Sequence, residues 1–188
     1  MMDTFEIEYS TTMLLNAIEG GPQVREGLRE TPGRVAKAYE HWFSGYKQDP
    51  ADLLKTFKDG AADYDEMILV RSIPFYSHCE HHMAPFFGTI DVAYIPNSRI
   101  VGLSKLPRLV DVFARRLQVQ ERMTTQIADA IMEHLEPKGC GVIARARHLC
   151  MESRGIQKQG CETFTSALRG VFLAQAETRS EFFQLTRS

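Results

Sequence analysis

The sequence contains no apolar run approaching the roughly 20 residues that a bilayer-spanning helix needs, and it shows no internal repeat, low-complexity tract or long linker. A membrane-anchored helix and a solenoid are therefore excluded as readings. It also lacks charge of one dominant sign. Lys and Arg number 22 against 24 Asp and Glu, a formal net charge of −2, which leaves no basic footprint for nucleic acid or an anionic membrane. No basic flank opens the chain, because "MMDTFEIEYS" carries acids where a secretory signal would carry lysine or arginine, so a cytoplasmic location is expected. Cysteine is scarce: Cys79, Cys140, Cys150 and Cys161 are all there are. In a reducing compartment such thiols serve as metal ligands or stay free sooner than pair as disulfides. None stands in a C-x-x-C, which removes the signature of the zinc nucleobase deaminases.

What is present is an ordinary apolar share, 44%, enough to bury a core. The first third reads as helical. "YSTTMLLNAIE" is amphipathic and stops at Gly20 and Gly21; "ETPGRVAKAYEHWFSGY" follows, with Thr31 expected as N-cap, Pro32 at the first helical position and Gly45 as the stop. From about residue 66 the pattern changes. "EMILVRSIPFYSH" and "GTIDVAYIP" read as strands, the second placing Ile90, Val92 and Tyr94 on one face. "KLPRLVDVFARRL" predicts a helix striped by Leu106, Leu109, Val110, Phe113 and Leu117, and "ERMTTQIADAIMEHLEP" a second striped by Ile127, Ala130, Ile131 and Leu135. "GCGVIARARHLCM" and "TFTSALRGVF" return to strand, and "TRSEFFQLTRS" closes with a helix. The expectation is an α+β fold: an antiparallel four-stranded sheet in ββααββ order, helices on one face, with residues 1–65 as a helical extension and 66–188 as one catalytic unit. The open edges and bare face of such a sheet call for a second copy of the chain.

The chain spends half of its six histidines in "FYSHCEHHMAP", residues 75–85. Cys79 and His82 lie three apart, close enough for one turn to aim both at an ion, and thiolate with imidazole is a zinc ligand set. A third ligand is expected from "ARARHLC", residues 144–150. On an extended strand His148 and Cys150 face the same way about 7 Å apart, so that one binds metal while the other reaches a substrate. The competing reading, a loop whose Cys and His are solvent-facing by accident, accounts poorly for this local density. Spacing alone does not separate a structural zinc from a catalytic one; three ligands beside a titratable His148 favour the catalytic site. Cys140 reads as a small core residue, Cys161 as an incidental thiol, and His41 and His134 as surface residues.

Ser104, Lys105 and Arg108 sit at the start of a predicted helix, where free N–H groups, a hydroxyl and two cations suit a phosphate; a capped helix with a solvated basic end is the equal alternative. Arg154 and Arg34 could join the same anion site. Gln120 and Glu121 stand just before the second helix. Glu121 offers a planar two-acceptor edge of the kind that fits guanine N1–H and its 2-amino group, although a helix-start acid facing the dipole is the more common role.

Taken together, "ETPGRVAKAY", "CEHH", "AYIP", "GLSKLPRLV", "RLQVQERM", "RHLCMESRG" and "TFTSALRGVF" resemble GTP cyclohydrolase I in order and spacing, from about residue 30 onward. The resemblance implies a tunnelling fold, in which sheets of several subunits close into a barrel, and a homodecamer with sites at subunit interfaces. It implies one Zn2+ per subunit on Cys79, His82 and Cys150, with His148 as general acid and His81 lining the pocket. Glu121 and Gln120 would hold the guanine edge, and Ser104, Lys105, Arg108, Arg154 and Arg34 the ribose and triphosphate of GTP, with Glu80 as a further substrate contact. Cys161 and Glu162 depart from the pattern by placing a carboxylate near the phosphate side. Animal members of the family bind a feedback regulatory protein; these residues do not speak to that. The rival from another class is a zinc-stabilised, non-catalytic pterin-binding module, with His81 closing the metal shell as a fourth ligand.

Overall fold

The computed structural model describes residues 2–22, 25–57 and 64–187. Helix α1 (Thr4–Glu19) begins at Asp3, whose carboxylate accepts the Phe5 and Glu6 N–H groups, and ends at Gly20 in the left-handed region at φ 79°. Helix α2 (Thr31–Trp42) starts one residue earlier than the sequence suggests: Glu30 occupies the N-cap position, Thr31 is already helical and Pro32 follows it. No side chain caps this end, and the Arg34 N–H reaches the Glu30 carbonyl. Gly45 lies in the 3-10 turn after α2, where a Cβ would come 2.3 Å from the Val112 carbonyl oxygen. A side chain there would push this turn off the helix it packs against.

The next elements are α3 (Pro50–Leu53) and β1 (Thr56–Phe57), then β2 (Ile68–Cys79), β3 (Pro85–Ile95) and β4 (Ile100–Val101). They are followed by α4 (Lys105–Ala114), β5 (Leu117–Gln118), α5 (Gln120–Leu135) and β6 (Gly139–His148). The chain continues through α6 (Leu149–Glu152), β7 (Thr163–Gly170), α7 (Val171–Ala174) and α8 (Ala176–Leu185). Strands β2, β3, β6 and β7 form the antiparallel sheet in the expected ββααββ order, and β5 adds a short parallel edge beside β2. Leu117, expected on the α4 stripe, belongs to β5. The helix stops at Ala114 because the Arg116 guanidinium turns back to the Val112 and Gly45 carbonyls. β1 pairs with β4 in a separate two-stranded sheet, which ties the N-terminal segment to the stretch ahead of α4.

The core lies between the sheet and the two long helices. Leu106, Leu109 and Val110 of α4 and Ile127, Ile131 and Leu135 of α5 are fully buried against Phe86, Ile90, Val92, Tyr94, Val142 and Ala144. Cys140 is part of this core, and burial pushes its thiol up to about 12, which makes it an inert apolar filler. The opposite face, expected bare, is partly covered: Phe172 and Phe182 from α7 and α8 pack edge to face over Ala93 and Ile143. Gly141 makes the space, since a Cβ there would come 2.8 Å from both rings. A bulge at Arg71 and Ser72 interrupts β2, with Ser72 at φ 54° and its N–H held by Asp91 at 2.7 Å. Buried Asp91 also pairs with Arg145, whose other nitrogen donates to the Thr186 carbonyl and so clamps the end of α8 to the sheet. Phe182→Ala should therefore cost about 3–5 kcal/mol, read as a lowered denaturation midpoint; an unchanged midpoint would show that this second cluster adds no stability.

Candidate metal centre and active site

Strand β2 delivers Cys79 to the mouth of a tight turn. The Cys79 N–H bonds the Ala84 carbonyl at 2.8 Å, and the Cys79 carbonyl accepts from Met83 at 2.8 Å, closing a loop in which Met83 takes φ 53°. That loop folds His82 back over Cys79, with Nδ1 3.9 Å from Sγ. β3 returns along β2 with His78 opposite Pro85, and β6 lies on its far side with His148 opposite Phe86. The ends of β2 and β6 thus meet across a single intervening strand.

Cys150 is not on that strand. The chain turns into α6 immediately after His148, the Ser153 N–H and hydroxyl both bonding the Leu149 carbonyl, so Cys150 rides on a helical turn and does not extend in line with His148. The turn is fixed by Glu152, buried and held by two hydrogen bonds from Arg147 at 2.6 and 2.9 Å. The result brings Cys79 Sγ, one His82 nitrogen and Cys150 Sγ all within 4.8 Å of one another. Two donors on a tetrahedral zinc stand about 3.5–3.8 Å apart, so the set fits such an ion with little adjustment. Burial, followed by the adjoining Cys79, pushes the Cys150 thiol up. His81 Nδ1 is 3.8 Å from Cys79 Sγ, but the atoms that lie within 4.8 Å of one another belong to Cys79, His82 and Cys150, three ligands of the four a tetrahedral ion takes.

His148 lies beside this cluster. Its ring stacks on Phe86 at 4.6 Å with an interplanar angle of 3°, and its Nε2 is 2.7 Å from the Gln120 amide oxygen. Burial lowers its pKa, opposed in part by the negative charge of Glu121. Gln120 is itself the first residue of α5, not a residue preceding it, and is fully enclosed. Glu121 is exposed on the next position, with its carboxylate free of hydrogen bonds among the described residues. Glu80 is occupied: it accepts two bonds from Arg122, at 2.5 and 3.0 Å, and this pairing together with the Arg122 charge holds the Glu80 carboxyl below its usual range. The Arg122 partnership is not legible from the sequence, except that Arg122 directly follows Gln120 and Glu121.

Ser104 and Arg108 are exposed at the start of α4 and Lys105 is half-buried, all three side chains without a hydrogen bond among the described residues. The free N–H groups expected there are fewer, because those of Lys105 and Leu106 already bond the Gly102 and Leu103 carbonyls in a tight turn. Arg154 reaches His82 Nε2 at 3.3 Å, next to the cluster. Arg34 is elsewhere, paired with Glu30 one turn away on α2. Cys161 and Glu162 are exposed just ahead of β7. Sequence reasoning also missed the aromatic wall behind the loop, where Trp42 and Phe43 pack on buried His78 at 4.9 and 5.2 Å.

The sequence model of the family described as GTP cyclohydrolase I matches residues 7–187. The chain belongs to that family. Among relatives, "GTP cyclohydrolase 1" of Janthinobacterium sp. (strain Marseille) is 63% identical over 163 residues, 87% of this chain and 82% of that protein. The protein of the same name from Nitrosospira multiformis is 59% identical over 175 residues, 93% of this chain and 91% of its own. That of Campylobacter curvus is 51% identical over 188 residues, 100% of this chain and 97% of its own. Within this GTP cyclohydrolase I family member, the Glu80–Arg122 pair braces the ligand loop against α5. Glu80→Gln should weaken zinc binding by roughly tenfold, measured by competition with a chromogenic chelator; unaltered affinity would mean that the turn holds the ligands unaided.

Proposed function

We propose that this chain hydrolyses GTP to 7,8-dihydroneopterin triphosphate and formate, the entry reaction of pterin biosynthesis. The observation that carries the reading is the convergence of Cys79, His82 and Cys150, with His148 two residues before Cys150 and stacked on Phe86, in a chain that belongs to the GTP cyclohydrolase I family. Cys79, His82 and Cys150 would hold one Zn2+, which when bound supplies Lewis-acid activation of water at neutral pH.

The chain's own groups do the rest. The exposed Glu121 carboxylate accepts from N1–H and the 2-amino group of guanine, a pairing that other purines without both donors lack. His148 donates a proton to purine N7 as water adds to C8, opening the imidazole ring. A second water releases C8 as formate. The ribose then opens and rearranges, and closure onto the freed amine expels one water, so that one water is consumed overall. His81, exposed at the pocket edge, and Ser104 assist these later proton transfers. Ser104, Lys105, Arg108 and Arg154 bind the triphosphate, whose contacts contribute anchoring that positions the base without reacting. Arg34, paired with Glu30 within its own chain, joins them from a second copy, in keeping with sites at subunit interfaces of a homodecamer. The outer edge of β7, unpaired among the described residues, supports such an assembly. The protein works in the cytoplasm, with residues 66–188 as the catalytic unit behind a helical extension.

Incubating the zinc-loaded protein with GTP should release formate and a fluorescent pterin, and a chelator should abolish both; GTP left intact would overturn the assignment. His148→Ala should keep metal and nucleotide while slowing turnover by roughly a hundredfold or more. Cys150→Ser should lose zinc together with activity, and stoichiometric metal in that variant would remove Cys150 from the ligand set.

A further inference from the structure

Gln120 offers an amide whose two ends can be told apart by chemistry alone. Its side chain is 1% exposed. The amide nitrogen is 3.1 Å from the Ala144 carbonyl, 3.0 Å from the Thr163 carbonyl and 3.1 Å from Thr165 Oγ1. Carbonyl oxygens only accept, so turning the amide round would set its oxygen against two others in a buried space. A second chain of bonds agrees. Thr124 Oγ1 donates to the Gln120 backbone carbonyl at 2.7 Å and lies 2.6 Å from Thr165 Oγ1. The Thr124 proton is thereby committed, so Thr165 must donate to Thr124, which leaves Thr165 as acceptor for the Gln120 amide. Every donor in the circuit has a single direction.

That direction points the amide oxygen at His148 Nε2, 2.7 Å away. An amide oxygen cannot donate, so Nε2 carries the hydrogen. A neutral imidazole has only one N–H, and the other nitrogen, Nδ1, is then bare. Phe86, stacked flat on the ring, opposes a flip that would carry Nε2 away from the amide oxygen.

We propose that Gln120 is a positioning residue that acts through His148, accepting from Nε2–H and so fixing the tautomer in which Nδ1 is the nitrogen left for substrate. Its side chain is not a reader of guanine, and that task falls to Glu121. This rests on the activity proposed above for what Nδ1 meets, purine N7 of GTP. The Nε2–H keeps donating to the Gln120 oxygen.

The test is magic-angle-spinning NMR of the zinc-loaded protein carrying 13C,15N-histidine, at mildly alkaline pH and without GTP, with the His148 signals assigned by their loss in His148→Ala. The wild type should show a protonated Nε2 and a bare Nδ1. In Gln120→Met, which keeps the length and removes the acceptor, the two tautomers should mix. Its kcat should fall roughly 10–100-fold, while GTP affinity stays within about threefold, because an interaction with another protein group is being lost and not one with bound substrate. A wild-type signal with Nδ1 protonated overturns the proposal, as does a Gln120→Met protein with weakened GTP binding and normal kcat. Should that variant fail to fold, the wild-type spectrum still decides. Because the spectrum is read without GTP, a protein that released no formate would remove the proposed activity while the tautomer stood or fell on its own signal.

Discussion

The site depends on the register of three adjacent strands. β3 sets His78 opposite Pro85 on one side and Phe86 opposite His148 on the other, so the ends of β2 and β6 finish level at the same rim of the sheet. Side chains alternate faces with period two, and a one-residue slip of β6 would turn His148 away from the helices and carry the α6 turn out of reach of Cys79. The register is itself held by burial. Ala144 and Ala146 share His148's face and lie in the main core, whereas Arg145 and Arg147 point to the other face and are pinned by Asp91 and Glu152. The apolar alternation beneath the helices therefore fixes the candidate metal ligands, and the ion pairs on the opposite face reinforce it from behind.

Polar groups near the rim divide into those already satisfied and those still open. Gln120, Glu80, Arg122, Arg147 and Glu152 spend their hydrogen bonds inside the protein. Glu121, Ser104 and Arg108, all exposed, and half-buried Lys105 have none among the described residues. The first group is scaffold, and for enclosed Gln120 and Glu152 a broken bond leaves a buried donor or acceptor unmatched. The second is available to a ligand with a planar polar edge and a chain of phosphates. The separation runs along α5 within two neighbouring residues, where Gln120 turns in and Glu121 turns out.

Much of this was legible in the amino-acid order. The strand and helix sequence from residue 66, the buried stripe of Ile127, Ile131 and Leu135, and the pairing of Cys79 with His82 all follow from periodicity and ligand chemistry. What escaped has physical reasons. His148 and Cys150 look like alternate residues of one strand, since nothing in "RHLCM" announces the helical turn that Glu152 secures through Arg147. The enclosure of the Gln120 side chain was not legible, because its three partners come from β6 and β7, 24 to 45 positions away. The cover on the second face depends on Gly141 leaving room for two rings, a cue visible only once the strand is paired.

Strand β7 has a neighbour on one side only, among the described residues. It is also the strand that supplies Thr163 and Thr165 to the Gln120 amide. The outermost seam of the sheet is thus wired to the histidine: a polypeptide zipped along that seam would damp the sway of both threonines, and a frayed seam would loosen the grip on the imidazole. The rim of the sheet and the imidazole that Gln120 holds share one mechanical part.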